Sequence, residues 1–229
     1  MAARRAYSRL WLSDRSLSVL LALLVFDLFV VAPLSQFREE AGVVMPVMYS
    51  LFLLFGIATV LRNRMAAAVT CVLAPVNIAL RWANHLHPRI GIERADTALA
   101  LVFSAILVIV ILTHVFSPGR MNMYRIQGAI AVYLLFALVW AFAFKLVMLS
   151  DPDAFAFAGS APPPANVTGR LYYFSAITLT TVGYGDVTPV NPIARSLAAL
   201  EGFTGQLFPA ITLARLVALE LYHRQQRGE

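Results

Sequence analysis

Apolar runs long enough to cross a bilayer recur six times along this chain, and nothing else constrains its fold as strongly. A helix needs about 20 mostly apolar residues to cross the hydrocarbon core. Runs of that kind fall at about 16–34, 43–61, 65–83, 96–117, 126–149 and 194–222. With 60% hydrophobic and 13% charged residues, the chain is too apolar for a soluble domain. The expected fold class is an all-α integral membrane protein with six transmembrane helices. A further apolar segment, 171–180, is half-length. A short helix running into irregular backbone is tolerated at membrane depth only where protein or a water-filled cavity surrounds it. The segment therefore reads as a re-entrant helix and loop between the fifth and sixth helices.

The formal charge of +6 comes mostly from arginine. The basic residues sit mainly at the ends of apolar runs, so topology accounts for them and no nucleic-acid partner is expected. One set of loops carries Arg4, Arg5, Arg9, Arg15, Arg62, Arg64, Arg120, Arg125, Arg224 and Arg227. The other carries Arg38, Arg81, Arg89, Arg94, Lys145, Arg170 and Arg195. The first set is richer, which predicts a cell-membrane protein with both termini cytoplasmic. The acids Glu39, Glu40, Glu93, Asp96, Asp151, Asp153 and Asp186 then fall outside. No cleavable signal peptide is expected, because the first run lacks a small-residue cleavage site. The lone Cys71 excludes an intrachain disulfide. The connection 150–169, rich in Pro, Ala and Gly, reads as an outer loop. It ends in the sequon Asn166-Val167-Thr168, where Thr168 is expected to N-cap a short helix over about 168–180.

That helix leads into Thr180-Thr181-Val182-Gly183-Tyr184-Gly185-Asp186. A dehydrated cation needs a cage of oxygens. Stacked rings of backbone carbonyls from Thr181, Val182, Gly183 and Tyr184 supply one, with the Thr181 hydroxyl as the innermost ring. For consecutive carbonyls to point the same way, alternate residues must leave the usual backbone regions. Gly183 and Gly185 permit this, since glycine accepts positive φ freely. Val182 and Tyr184 are then expected to point away and wedge against the short helix, whose C-terminal partial negative charge faces the cation's path.

This run is the selectivity-filter sequence of potassium channels, and the chain resembles that superfamily. From about Thr168 to Leu219 it is similar, without a gap, to the minimal two-helix bacterial potassium channel. Tyr173 and Phe174 stand at its two aromatic cuff positions, Asp186 at the acidic position after the filter, and Gly205 at the hinge glycine of the inner helix. Pro189 and Arg195 also match. Glu201 with Gly205-Gln206, and Ala214-Arg215-Leu216-Val217, resemble a pattern of small bacterial members. The resemblance implies a homotetramer in membrane lipid that conducts K+ passively. The ions would be held by Thr181, Val182, Gly183 and Tyr184 in the loop that Gly185 completes. It also implies filter support from Tyr173, Phe174 and Asp186. In two places the chain departs from that pattern. Tyr173 replaces a tryptophan, and Ile177 replaces a glutamate, so the carboxyl pair behind the filter cannot form.

The expected organisation is a cytoplasmic N-terminus at 1–15, a four-helix module at 16–117 and a linker at 118–125. A pore domain at 126–222 and a tail at 223–229 follow. Pro209 lacks the N–H that would bond the Gly205 carbonyl, so a bend or hinge is expected at 205–209. The fourth run, 96–117, contains no Arg or Lys, which argues against a fourth-helix voltage sensor. Within the membrane, Asp27 is expected to pair with Arg81 or Asn77. His85 and His87 are an ordinary outer loop, or one that senses pH or binds a metal. Arg215 is expected to pair with Glu220 or to face water. No soluble ligand domain, organic cofactor or catalytic motif is read from the sequence. The alternative to a conducting channel is a regulatory or partner-dependent subunit with a potassium-type filter that conducts poorly alone.

Overall fold

The computed structural model describes residues 16–31, 43–61, 63–117, 123–158 and 167–227. Among these residues the chain is a set of seven helices and one short β-ribbon. Helix α1 spans Ser16–Val31 and widens into a π-helical turn over Asp27–Val31. It is followed by α2 (Val44–Val60), α3 (Arg64–Leu86), α4 (Ile90–Val115) and α5 (Met123–Ser150). Strand β1 (Phe155–Phe157), helix α6 (Val167–Leu179), strand β2 (Val187–Pro189) and helix α7 (Pro192–Arg227) complete the chain.

Four of these helices are long and apolar enough to cross a membrane: α3, α4, α5 and, over Pro192–Ala218, α7. The apolar stretches Ser16–Val31 and Pro46–Val60 are shorter than that. Large side chains such as Val72, Ile109 and Leu213 remain exposed, as suits helices whose outer surface meets lipid rather than water. The protein is a mostly helical membrane protein.

Helix α4 begins at Ile90, so its first two turns contain Glu93 and Arg94, which precede the run expected at 96–117, together with Asp96. Each charge has a partner. Lys145 Nζ lies 2.8 Å from Glu93 Oε1, and Arg94 donates to the Leu149 carbonyl at 2.6 Å. Asp96, 2% exposed, takes Arg81 Nε at 2.8 Å. Arg81 also lies 4.0 Å from the centre of the Tyr49 ring. Asp27 lies within the field of the Arg81 guanidinium, but the close ion pair expected of it is made by Asp96. Asp96 binds Arg81, and the Asn77 amide, oriented so that both its ends are satisfied, donates to Asp96 Oδ1 at 3.1 Å and accepts from the Ala100 amide at 2.8 Å. Two turns of helix extend the fourth segment and bring its own acid to the arginine.

One hydrophobic core joins α1 through α5. It packs Leu20 and Leu24 with Phe52 and Leu53, Phe103 and Leu107, and Leu135 and Phe142. Tyr172 of α6 enters the same core against Phe142, so the first four helices pack on the α5 and α6 of their own chain. At the other end of the core, Arg215 of α7 donates to the Phe116 carbonyl at 2.9 Å and lies over the Phe116 ring. Arg215 therefore caps the C-terminus of α4, where a carbonyl and a cation attract each other. The side chain of Glu220 lies outside the described residues.

Candidate functional site

Helix α6 has 13 residues, about 20 Å at 1.5 Å per residue, and cannot span a bilayer. It begins at Val167, so Thr168 sits inside the first turn rather than at the N-cap. Residue 166 lies outside the described residues, as do Pro162–Pro164. Phe174 fixes the helix in a second core, meeting Phe144 at 5.1 Å and Phe155 at 5.5 Å between ring centres. These are tilted-edge aromatic contacts of the favoured kind.

The chain turns sharply as α6 ends. Thr180 and Thr181 donate their amides to the Ala176 and Thr178 carbonyls, at 3.1 and 3.0 Å. Val182 and Gly183 then both donate to the Ile177 carbonyl, at 2.9 and 3.2 Å. Along the segment that follows, every second residue has positive φ: Thr181 at 60°, Gly183 at 54° and Gly185 at 80°. The two glycines behave as their chemistry predicts. Thr181 was not foreseen; a threonine in this region carries strain of roughly 1–3 kcal/mol. Strain of that size persists only where surroundings hold it, and here the amide bonds to the last turn of α6 do so. An alternation of backbone hand lets successive carbonyls face one side, which is oxygen ligation suited to a dehydrated alkali cation.

Val182 and Tyr184 are 52% and 74% exposed. These values are for one chain, and Tyr184 lies near Tyr173 of α6. Behind the segment, the Tyr173 hydroxyl faces the Asp186 carboxylate. Asp186 Oδ1 is buried with no partner among the described residues.

A ribbon anchors the far side of the loop. Strands β1 and β2 pair antiparallel, Phe155 with Pro189, Ala156 with Thr188 and Phe157 with Val187. The Ala158 amide donates to the Asp186 carbonyl at 2.8 Å, and the Val190 and Asn191 amides to Ala154. Arg195 reaches the Pro189 carbonyl at 3.1 Å, and Asn191 Nδ2 donates to Asp151 Oδ2 at 2.7 Å. The sequence carries little signal for this ribbon, because Phe-Ala-Phe and Val-Thr-Pro are too short to show a period of two.

Helix α7 passes close beneath the end of α6. It runs unbroken through Pro209. A Cβ placed on Gly205 would lie 1.8 Å from the Leu179 carbonyl oxygen. The same oxygen accepts the Tyr133 hydroxyl at 3.2 Å. Phe208 stacks on Tyr133 with ring centres 6.1 Å apart and meets Phe136 edge-on at 5.2 Å. Gly205 is thus a contact residue against the end of α6, in addition to any hinge role. Tyr133 joins it, and only a three-dimensional arrangement reveals that. Of the histidines outside the loop, His85 stands edge-on to Trp82. Among the described residues no cluster of three or more His, Cys, Asp or Glu side chains is arranged to hold a metal ion.

Comparison with known proteins bears on the same segment. Residues 132–220 match the family described as "Ion channel". Protein LctB of Geobacillus stearothermophilus is 49% identical over 63 residues, 24% of this chain and 46% of that protein. Protein LctB of Bacillus caldotenax is 44% identical over 45 residues, 20% of this chain and 33% of that protein. The potassium voltage-gated channel protein shk-1 of Caenorhabditis elegans is 28% identical over 90 residues, 39% of this chain and 17% of that protein. The chain thus spans less than half the length of each of these relatives. No solved structure matches it.

Proposed function

We propose, from the match of residues 132–220 to the ion-channel family and their similarity to a potassium channel protein, that the protein is a homotetrameric channel that conducts K+ passively across the cell membrane. The alternating positive φ at Thr181, Gly183 and Gly185 carries this reading. It supports a filter in which the carbonyls of Thr181, Val182, Gly183 and Tyr184, with the Thr181 hydroxyl, replace the hydration shell of the transported ion. Each subunit contributes one filter strand, after a six-span layout with a module at 16–117, a re-entrant α6 and a pore domain at 126–222. Both termini are cytoplasmic in this scheme.

One strand cannot surround an ion, and closed rotational symmetry supplies the remaining strands. The exposed Val182 and Tyr184, with Phe203, Leu207 and Ile211 along α7, offer apolar surface for neighbouring copies. In mild detergent, native mass spectrometry is expected to give a four-chain mass, and liposomes holding it to pass K+ in preference to Na+. A monomer or dimer contradicts the assembly. A tetramer without flux favours the regulatory-subunit alternative.

Gating by a fourth-helix charge ladder is not part of the proposal. The residues of α4 after Asp96 include no Lys or Arg, and moving one charge through 100 mV yields about 2.3 kcal/mol. The basic residue nearest α4 in the core, Arg81, is held by Asp96.

In this scheme the Tyr173 hydroxyl, which faces Asp186, supports the filter exit by donating to its carboxylate. Tyr173→Phe keeps the ring and removes the donor, at a cost of roughly 1.5–3 kcal/mol for a bond to a charged group. Conduction in low potassium is expected to decay several-fold faster in the variant. Identical decay in variant and parent removes this bond from the mechanism.

A further inference from the structure

Glu201 is a buried carboxyl that this reading leaves without a task. It lies on α7, 0% exposed. Its Oε1 stands 2.5 Å from Ser175 Oγ of α6, and that hydroxyl is also 2.8 Å from the Ala137 carbonyl of α5. Ser175 is itself 0% exposed. Three helices therefore meet at one hydroxyl.

Counting hydrogens assigns the state of this site. A serine hydroxyl has one hydrogen to give, and the Ala137 carbonyl can only accept. Were Glu201 ionised, both neighbours of Ser175 Oγ would be acceptors, and one close oxygen pair would have no hydrogen between its atoms. A proton on Glu201 Oε1 provides the missing one. The chain of donors is then Glu201 to Ser175 to Ala137. The surroundings agree. Glu201 Oε2 is buried with no hydrogen-bond partner, and neither ion pair among the described residues includes this carboxyl. From α5 the titratable group that faces it is Tyr133, whose hydroxyl is committed to Leu179. From α6 the contact is Ser175, and among the described residues no cation acts on the carboxyl. An ionised carboxylate here would be a buried, unpaired charge, which costs several kcal/mol.

We propose that Glu201 is a neutral, proton-carrying positioning residue that ties α7 through Ser175 to α5 and holds α6 beneath the filter. The functional half of this proposal rests on the channel reading; the proton itself does not. Loss of the proton leaves a charge that α7 and α6 cannot enclose, so the helices separate or water enters.

The test uses the full chain in liposomes, labelled with isotopic glutamate, and reads infrared spectra and potassium flux on the same sample. At neutral pH a protonated-carboxyl C=O band is expected in the parent protein and not in Glu201→Gln. Alkaline titration should remove the band and lower flux in step by roughly tenfold, the equivalent of one hydrogen bond. Glu201→Gln keeps a donor and should conduct with a flat pH profile. Ser175→Ala deletes the acceptor and should shift the band. A neutral-pH parent spectrum without the band, or a band unmoved by Ser175→Ala, overturns the proposal. If Glu201→Gln does not assemble, the parent spectrum and Ser175→Ala still decide it. If no variant conducts but the band is present and responds, the proton assignment stands and the channel reading fails.

Discussion

Potassium flux is expected to vanish in Gly183→Ala while the folded assembly survives. The reason is backbone, not space: a Cβ at Gly183 meets nothing within 4 Å in the single chain, yet φ there is +54°. An L-residue held in the left-handed region costs roughly 1–2 kcal/mol. The segment relieves that cost by returning residue 183 to negative φ, which ends the alternation between Thr181 and Gly185 and turns a carbonyl out of line. Flux into liposomes measures the loss, and native mass spectrometry with thermal unfolding checks that assembly is intact. A Gly183→Ala protein with full potassium selectivity would show that these carbonyls do not form the filter.

Gly205→Ala should fail in a different way, by losing the assembly itself. The added methyl would stand 1.8 Å from the Leu179 carbonyl oxygen. Ordinary carbon–oxygen contacts are about 3.3 Å, so α7 would have to retreat from α6 by about 1.5 Å. Overpacking of a rigid site typically costs about 1–3 kcal/mol, and backbone is the least yielding neighbour. A retreat also draws Phe208 from its stack on Tyr133. We expect a thermal midpoint many degrees lower and little intact tetramer on size-exclusion chromatography. Pro209→Ala provides the contrast, because it restores a donor to the Gly205 carbonyl without filling the contact. Were Gly205 purely a hinge, its alanine variant would assemble normally and change only the open probability.

The difference between these two glycines shows what the chain's sequence discloses. Positive φ at Gly183 and Gly185 follows from a local rule about residues without a Cβ, so it can be read in one dimension. The closeness of Gly205 to Leu179 depends on how two helices cross, and no spacing announces it. The same division holds for charge. Long apolar runs located α3, α4, α5 and α7. Glu93 and Arg94, however, precede the run expected at 96–117, and the partners of these two and of Asp96, namely Lys145, Leu149 and Arg81, come from other helices. Thr181 broke the local rule outright. Its positive φ goes with local backbone bonds from residues 180–183 to the last turn of α6, and a threonine gives no signal of it. Glu201 was legible as part of a family-like pattern, but its use of Ser175 was not.

Helices α4 and α5 are fastened to their surroundings at both ends. At one end Glu93 meets Lys145 and Arg94 meets the Leu149 carbonyl. At the other, Phe116 receives Arg215 of α7, and Ser117 receives Arg125 at 3.1 Å. A piston stroke of α4 by one helical turn, about 5.4 Å, would break all four contacts at once. A stimulus acting on the first four helices would therefore reach α7 where Arg215 holds Phe116, with α4 and α5 moving together.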